Sequence, residues 1–478
     1  MRRLALVLAS LALLAASGGR AQEPESYRDA ADRILDAALA DRDAWRKLEH
    51  LTTRIGHRLA GSEGLERAIA WARAGMQADG LEGVRLQPVK VPRWVRGKES
   101  LRVVSPMPRE LPMLGLGMSV GTPPGGITAP VVVVRDEKEL AALAPGAARG
   151  RIVVFAASWE GYGRTVRFRS NGASEAAKLG AVAALVRSAT GRSIASPHTG
   201  SLSYAEGVPR IPAAAITVED AEWLARIAAG GEPVTLSLQM EARLEADADS
   251  ANVIGEIRGR ETPDEVVVMG GHIDSWDVGQ GAHDDGCASV AAWQALSLLK
   301  KLELRPRRTL RVVLWTNEEN GLRGGRAYRD ALSPDELRNH AAAIEMDGGC
   351  EQPIGYGLEV QRPGEARARR GEPQPTGPPD ARAGAALDTV RRIAGLLARI
   401  EATTARWGGG GADIGPLMRE GVPGLAALTV GEHYFDWHHT QADTLDKVEP
   451  ESLRRATGML AVMGYVLADM PGRLAPQP

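Results

Sequence analysis

The chain has 478 residues, of which 44% are hydrophobic and 25% are charged. This composition is typical of a globular protein with a large core, and it excludes a disordered chain and a protein with many membrane spans. Lysine and arginine together number 58 against 60 aspartate and glutamate residues, so no excess of positive charge indicates a nucleic-acid partner.

The N-terminus has the pattern of a secretory signal peptide. Arg2 and Arg3 precede a mostly apolar run over residues 4–16, and small residues follow, ending in the small-x-small sequence Gly19-Arg20-Ala21. The run is shorter than the roughly 20 apolar residues that span a bilayer, whereas a charged start followed by a short apolar run is typical of a cleaved leader. We therefore predict a signal peptide over residues 1–21, a secreted or periplasmic protein, and no stable membrane association after cleavage. A retained membrane anchor is the alternative.

The rest of the chain divides into three parts by its pattern of apolar residues. Residues 22–127 begin with helical spacing and end in a Gly/Pro-rich passage. Residues 128–245 contain short apolar strands and a helix, which predicts a small inserted α/β unit. Residues 246–478 alternate helices with strands that are apolar throughout, as a parallel sheet covered on both faces requires. We predict an α/β fold in which helices sandwich a mostly parallel central sheet.

Acids and histidines follow four strands of the last part. In open α/β sheets, ligands bind beyond the carboxyl ends of the strands. The polar side chains in these positions are His272, Asp274, Asp284, Glu318, Glu319, Asp347 and His439. Singly, each is more often a helix-capping acid or a loop histidine. Together they would bring five carboxylates into one crevice, where two charges about 4 Å apart repel by about 4 kcal/mol at an effective dielectric constant of about 20. Bound cations are therefore expected.

The donor types indicate which metal would fit. Histidine nitrogen combined with carboxylate oxygen, without any thiolate, suits zinc or a neighbouring divalent metal. Two ions held by one shared carboxylate form a hydrolytic two-metal site, in which water loses its proton near neutral pH. The sequence therefore predicts a metal-dependent hydrolase.

Several short motifs resemble those of the M28 family of zinc exopeptidases. They are His272-x-Asp274, Asp284-Asp285-Gly286, Glu318-Glu319, Glu345-x-Asp347 and His439-x-x-x-Asp443-Thr444. The resemblance extends over about residues 27–470. It implies a zinc aminopeptidase-like fold in which residues 128–245 are a protease-associated domain inserted into the peptidase domain. It also implies a small peptide substrate and suggests a homodimer.

The resemblance implies which residues hold the metals. His272 and Asp347 are expected to bind one Zn²⁺ ion. Glu319 and His439 are expected to bind a second Zn²⁺ ion, and Asp284 is expected to bridge the two.

Further roles follow from the same resemblance. Glu318 is expected to be the general base that activates the bridging water, and Asp274 is expected to hydrogen-bond a metal-binding histidine. His438 stands where many family members have a tyrosine that stabilises the oxyanion, so it is either that donor or a packing histidine. We expect His283 to be exposed and Asp443 to support a loop.

Two further groups of residues each have two possible roles. Gly410, Gly411 and Asp413 are expected to bind substrate, because the resembling enzymes place this loop beside it; a loop without contact is the alternative. Cys287 and Cys350 each follow an expected metal ligand by three residues, so they are either a disulfide behind the site or two buried free thiols.

These expectations describe an exported di-zinc exopeptidase that hydrolyses small unblocked peptides, dipeptides above all. An aminopeptidase acting on longer peptides would use the same residues and is the nearest alternative. A non-catalytic binding protein on the same fold would be expected to lack some ligands, and here all five are present. A serine hydrolase is a third option.

Overall fold

The computed structural model describes residues 24–362 and 377–474. The predicted signal peptide therefore lies outside the described residues. Strands of the described chain form two eight-stranded sheets. In chain order the strands are β1 (Glu82–Val95), β2 (Glu99–Ser105), β3 (Arg109–Leu111), β4 (Met113–Gly115), β5 (Ile127–Val134), β6 (Ile152–Phe155), β7 (Ala183–Arg187), β8 (Ala213–Ile216), β9 (Thr235–Met240), β10 (Arg243–Ile257), β11 (Thr262–His272), β12 (Arg308–Trp315), β13 (His340–Glu345), β14 (Pro353–Glu359), β15 (Thr404–Trp407) and β16 (Gly424–Thr429).

Helices cover both sheets. In chain order they are α1 (Arg28–Ala40), α2 (Asp43–His50), α3 (Glu63–Ala78), α4 (Glu137–Ala142), α5 (Tyr162–Lys178), α6 (Val218–Ala229), α7 (Cys287–Lys301), α8 (Arg323–Asp330), α9 (Pro334–Arg338), α10 (Ala381–Ala394), α11 (Gly415–Met418), α12 (Tyr434–Trp437) and α13 (Pro450–Asp469). In the part of the chain that the structure describes, no helix combines the length and the apolarity needed to cross a bilayer.

The first sheet has the strand order β1-β10-β12-β11-β13-β16-β14-β15. Its four central strands, β12, β11, β13 and β16, run parallel to one another. Antiparallel pairings join β10 to β12 on one side and β14 to β16 on the other. The prediction of an α/β fold with a mostly parallel central sheet is confirmed. Because the central strands are parallel and adjacent, their carboxyl ends meet at one edge of the sheet.

The apolar side chains of β11 explain why helices cover this sheet on both faces. Successive side chains of a strand point to opposite faces. Val267 and Met269 pack in the large core that contains α1, α3, α7 and α13. Val266 and Val268 pack in a smaller core on the other face, together with Tyr328 of α8. A strand buried on both sides therefore has an apolar residue at nearly every position.

The second sheet has the strand order β3-β2-β9-β5-β6-β7-β8-β4. Strands β5 to β8 are parallel, and β2 joins the sheet through antiparallel pairing with β9, with Leu101 opposite Leu238. The sheet therefore begins at Glu99, earlier than the boundary predicted at residue 128. The sequence did not indicate this pairing because its two strands are far apart in the chain and each is short.

Candidate metal centre

The five expected metal ligands converge at the carboxyl edge of the first sheet. His272 is the last residue of β11, and Asp347 follows β13 by two residues. Glu319 lies in the loop after β12, and His439 follows α12. Asp284 lies in the turn Ala282–Gly286, which leads into α7. Four of the five are almost fully buried, and the side chain of Asp347 is 27% exposed.

Asp284 lies between two groups of ligand atoms. Its Oδ1 lies 3.1 Å from Nε2 of His272, and that nitrogen lies 3.7 Å from Oδ1 of Asp347. Its Oδ2 lies 3.2 Å from Nε2 of His439, and that nitrogen lies 3.1 Å from Oε2 of Glu319. Each oxygen of Asp284 therefore faces one histidine, which in turn lies beside a second carboxylate. This is the arrangement in which one carboxylate bridges two ions.

The chemistry of these side chains fits bound cations. Oδ2 of Asp284 and Oε1 of Glu319 are buried and have no hydrogen bond of good geometry. Burial, together with the charge of Asp284, raises the pKa of Glu319 to about 7. Buried carboxylates are costly unless a proton or a cation neutralises them. The ligand atoms of His272, Asp284 and Glu319 all lie within 4.8 Å of one another, and nitrogen with oxygen donors is a set that zinc accepts.

His272 is held with one ring nitrogen facing the cluster. Its Nδ1 lies 3.0 Å from the backbone oxygen of Asp274, so a proton on Nδ1 leaves Nε2 with its lone pair toward Asp284. The carboxylate of Asp274 lies 3.7 Å from the ring, which is too far for a hydrogen bond. The expected hydrogen bond to the histidine is therefore made by the Asp274 backbone. The reason is that the carboxylate is occupied by the N–H groups of Glu318 and Glu319, at 3.1 and 3.3 Å.

Asp443 supports the turn that carries Asp284. Its carboxylate accepts the backbone N–H groups of Ala282, His283 and Asp284, at 2.9, 2.7 and 3.1 Å. The peptide bond between Asp284 and Asp285 is cis. The placement of Asp443 agrees with the sequence interpretation of this residue as a loop support.

His283 is buried, and the expectation that it is exposed is wrong. Its Nε2 donates to the backbone oxygen of Lys447 at 2.7 Å, and its Nδ1 accepts from the backbone N–H of Cys350 at 3.2 Å. One ring nitrogen thus contacts the segment after β13 and the other contacts the segment before α13, and both segments pack against the Asp284 turn. Cys350 also forms a disulfide with Cys287, their Cα atoms being 6.1 Å apart. Of the two alternatives for the cysteines, the structure therefore has the disulfide.

A pocket of about 540 Å³ opens onto the cluster of proposed ligands. Asp284, Glu319, Asp347 and His439 lie in its wall, and so does Glu318. Glu318 is partly exposed, unlike its neighbour Glu319. Burial raises the pKa of Glu318 well above its ordinary value, and the negative charge of Asp347 raises it further. Glu318 is therefore a carboxylate in the pocket with a raised affinity for a proton.

His438 and Tyr434 also line the pocket. The ring of His438 stacks on that of His439, with centroids 3.5 Å apart, and its Nε2 lies 3.8 Å from Oδ2 of Asp284. Burial and the neighbouring histidine lower the pKa of His438 well below its ordinary value, so the ring is neutral. Burial and nearby carboxylates, Asp284 first, raise the pKa of Tyr434, so its phenol keeps its proton. The sequence indicated His438 as a possible oxyanion donor and gave no signal for Tyr434.

Gly410, Gly411 and Asp413 do not line this pocket. The carboxylate of Glu345, in β13, accepts the backbone N–H groups of Ala412 and Ile414, both at 2.8 Å. A Cβ on Gly411 would lie 2.0 Å from the Glu345 carboxyl carbon, and Asp413 is buried. The loop thus binds a side chain of the central sheet, which explains the glycine. That these residues contact substrate stays a prediction.

Arg58, in the loop before α3, holds the backbone beside the site. Arg58 is fully buried, and its guanidinium donates to the backbone oxygens of Ile273, Gln280 and Gly281, at 2.7 to 2.8 Å. These three residues belong to the segment between His272 and the Asp284 turn. Arg58 therefore fixes the backbone that separates two proposed metal ligands.

Residues from the helix and loop that connect strands of the second sheet complete the pocket wall. Tyr162 and Arg169 of α5 line it, together with Ser201 and Ser203. The sequence predicted an inserted α/β unit here and indicated none of these four residues as part of the site. Because they lie far from the metal ligands in the chain, only the fold places them beside the cluster.

Comparison with known protein families identifies a match over a range that includes the five proposed metal ligands. A family model described as peptidase family M28 matches residues 252–463. Human carboxypeptidase Q is 42% identical over 452 residues, which cover 94% of this chain and 91% of the relative. Carboxypeptidase Q of Xenopus laevis is also 42% identical, over 451 residues and with the same two shares.

Solved structures share the architecture. A peptidase M28 precursor from Shewanella amazonensis has a TM-score of 0.86 and 33% sequence identity, over 95% of this chain and 100% of that chain. A zinc aminopeptidase from Bacillus subtilis has a TM-score of 0.65 and 18% identity, over 91% of this chain and 97% of that chain. At this identity the second likeness shows the fold alone.

Proposed function

We propose, from the premise that this chain belongs to peptidase family M28, that it is a di-zinc exopeptidase hydrolysing small unblocked peptides, above all dipeptides. That it is a metallopeptidase follows from its sequence identity of 41–42% to carboxypeptidase Q of several species. The observation that carries the two-metal proposal is the position of Asp284, whose two oxygens face two different histidines.

The ligand sets of the two ions follow from these contacts. His272 and Asp347 would hold one ion, and Glu319 and His439 would hold the other, with Asp284 shared between them. Zinc, when bound, lowers the pKa of water toward about 7 and polarises the carbonyl of the scissile bond.

Glu318 is the proposed general base. Its carboxylate takes a proton from the water that attacks the scissile carbonyl carbon, and then gives that proton to the amine nitrogen as the C–N bond breaks. Its place in the pocket wall beside Asp284 and Asp347 supports this role, and a positioned base typically contributes about 10²- to 10⁴-fold to the rate. Asp274 orients the base by accepting its backbone N–H.

His438 is the proposed hydrogen-bond donor to the carbonyl oxygen as negative charge develops there. It is neutral and lies in the pocket wall, so one ring nitrogen carries a proton. Tyr434 is a second candidate in the same wall, and its raised pKa keeps its proton in place at neutral pH. A donor aimed at a developing oxyanion typically contributes about 10²- to 10³-fold to the rate.

Export and assembly are proposed on the sequence alone. The pattern of residues 1–21 supports a signal peptide and a secreted or periplasmic location, and the family resemblance supports a homodimer. We also propose that the second sheet, with the residues predicted over 128–245, is the protease-associated domain.

One experiment separates the function classes. The purified protein is loaded with zinc and offered Ala-Ala, N-acetyl-Ala-Ala and Ala-Ala amide. We expect hydrolysis of Ala-Ala and none of the N-acetylated peptide. Turnover of the amide equal to that of Ala-Ala would favour an aminopeptidase of broader specificity. Hydrolysis of none of the three by a protein that holds zinc would contradict the proposed function.

A further inference from the structure

Arg169 places an unpaired positive charge in the wall of the pocket. It belongs to α5, the helix between strands β6 and β7 of the second sheet, and is only 7% exposed. Its Nη2 donates to the hydroxyl oxygen of Tyr162 at 2.7 Å, and its Nη1 lies 3.4 Å from the backbone oxygen of Thr199. Its Nε is buried without a hydrogen-bond partner. Among the residues that the structure describes, no carboxylate lies within ion-pair distance of this guanidinium.

The remaining contact of Arg169 is with His439. Nη1 lies 3.3 Å from Nδ1 of the histidine, whose other nitrogen faces Asp284. When Nε2 binds metal, Nδ1 carries the proton and donates to the oxygen of Thr199, which lies 3.2 Å away. Nδ1 can then accept nothing from Arg169. Metal binding therefore leaves the guanidinium with two neutral oxygen acceptors and no anion.

A buried cation of this kind needs an anionic partner. Removing a charge from water is unfavourable unless a counter-charge and hydrogen bonds replace the solvent. The planar guanidinium presents several N–H groups in a fixed arrangement that matches the two oxygens of a carboxylate. A peptide with an unblocked C-terminus carries such a group into this pocket.

The position of Arg169 limits how long the peptide can be. Its guanidinium contacts Nδ1 of His439, and the opposite ring nitrogen, Nε2, faces Asp284 and is the proposed metal-binding atom. Consecutive Cα atoms of a peptide are about 3.8 Å apart, so only the residue next to the scissile bond can bring its carboxylate to a group so close to the metals. A carboxylate several residues farther along would lie outside the pocket.

We infer that Arg169 binds the C-terminal carboxylate of the substrate and thereby restricts the site to peptides with one residue after the cleaved bond. This inference rests on the proposed peptidase function and adds to it the group that recognises the free carboxyl end. It also gives the second sheet a part in substrate selection.

The test measures binding and turnover separately. The binding probe is Ala-Ala in which CH₂–NH replaces the peptide bond, so that it cannot be hydrolysed, in free-acid and C-terminal amide forms. Calorimetric titration of the zinc-loaded protein is expected to show the free acid binding about 100-fold more tightly than the amide, the size of a buried charge contact. Turnover of Ala-Ala against its amide is measured in parallel.

Variants identify the residue responsible. R169M is expected to bind both probes equally, with affinity for the amide unchanged. R169K keeps the charge without the planar geometry and is expected to retain part of the preference. R164M is the matched control, because Arg164 lies on the same helix with its side chain 65% exposed and paired with Glu160; it should behave as the parent does. Thermal unfolding verifies that each variant is folded.

The outcomes separate this inference from the proposed function. Equal affinity of the parent for both probes would overturn the role of Arg169, and so would an R169M variant that weakens both probes equally, since that is the mark of a structural residue. If the parent prefers the free acid through Arg169 but hydrolyses no dipeptide, carboxylate binding stands and the peptidase proposal fails.

Discussion

The carboxylate of Asp274 accepts a hydrogen bond of 3.1 Å from the backbone N–H of Glu318. The other Asp274 oxygen accepts the N–H of Glu319 at 3.3 Å. One fully buried side chain thus fixes the backbone of both the proposed base and a proposed metal ligand. Asp274 acts by positioning other groups, and the contact of its backbone oxygen with His272 extends this to a third site residue.

Replacement of Asp274 tests this positioning role. Asp274→Asn places an NH₂ group against one of the two N–H donors, so one hydrogen bond is lost and the loop after β12 shifts. We expect kcat to fall about 10- to 100-fold, the usual effect of losing a residue that orients metal ligands. Steady-state kinetics with zinc content measured on the same samples checks this. An unchanged kcat would show that the loop holds its position without Asp274.

Glu318→Gln separates proton transfer from metal binding. Glutamine preserves the size of the side chain but cannot take a proton, so we expect kcat to fall about 10²- to 10⁴-fold. Zinc content should remain that of the parent, because Glu318 is not a proposed ligand. Parental turnover by this variant would refute the assignment of the base.

His438 and Tyr434 are distinguished by a pair of variants. If His438 stabilises the oxyanion, His438→Phe should lower kcat by about 10²- to 10³-fold with little change in KM. Tyr434→Phe, which removes only the hydroxyl, serves as the matched comparison and should change kcat much less. The reverse result would assign the donor role to Tyr434.

The disulfide predicts both a chemical and a thermodynamic result. Titration of thiols in the unfolded, unreduced protein should find none per chain, and two would contradict the bond. The cysteines are 63 residues apart, and a loop of that length corresponds to about 4 kcal/mol of stabilisation in the chain-entropy model. Replacing both cysteines by alanine should therefore lower the free energy of unfolding by up to that amount. Denaturant unfolding of the metal-free proteins measures it.

The sequence predicted the convergence of the proposed metal ligands better than it predicted their surroundings. His272 and Asp347 could be placed because each follows an apolar strand, and parallel strands bring such positions to one edge. The environment of His283 could not be placed, because its burial depends on Lys447 and Cys350, which are remote in sequence. The role of Arg169 could not be predicted for a similar reason, because the sequence does not indicate whether a single arginine within a helix faces a pocket.

The glycines near residue 410 show a different limit of sequence reasoning. The family resemblance leads us to expect substrate contact there. In the structure the backbone lies against the carboxylate of Glu345, which accepts the N–H of Ala412 and leaves no room for a Cβ at Gly411. A glycine signals that something lies close to the backbone without saying what it is.

The zinc content of the protein tests the central claim, that Asp284 joins two cation sites. The protein is purified, equilibrated with zinc, passed through a desalting column and analysed by inductively coupled plasma mass spectrometry. We predict two zinc ions per chain in the parent and about one in Glu319→Ala, which removes a ligand of only one site. One zinc ion or none in the folded parent, or two retained after Glu319→Ala, would contradict the shared site.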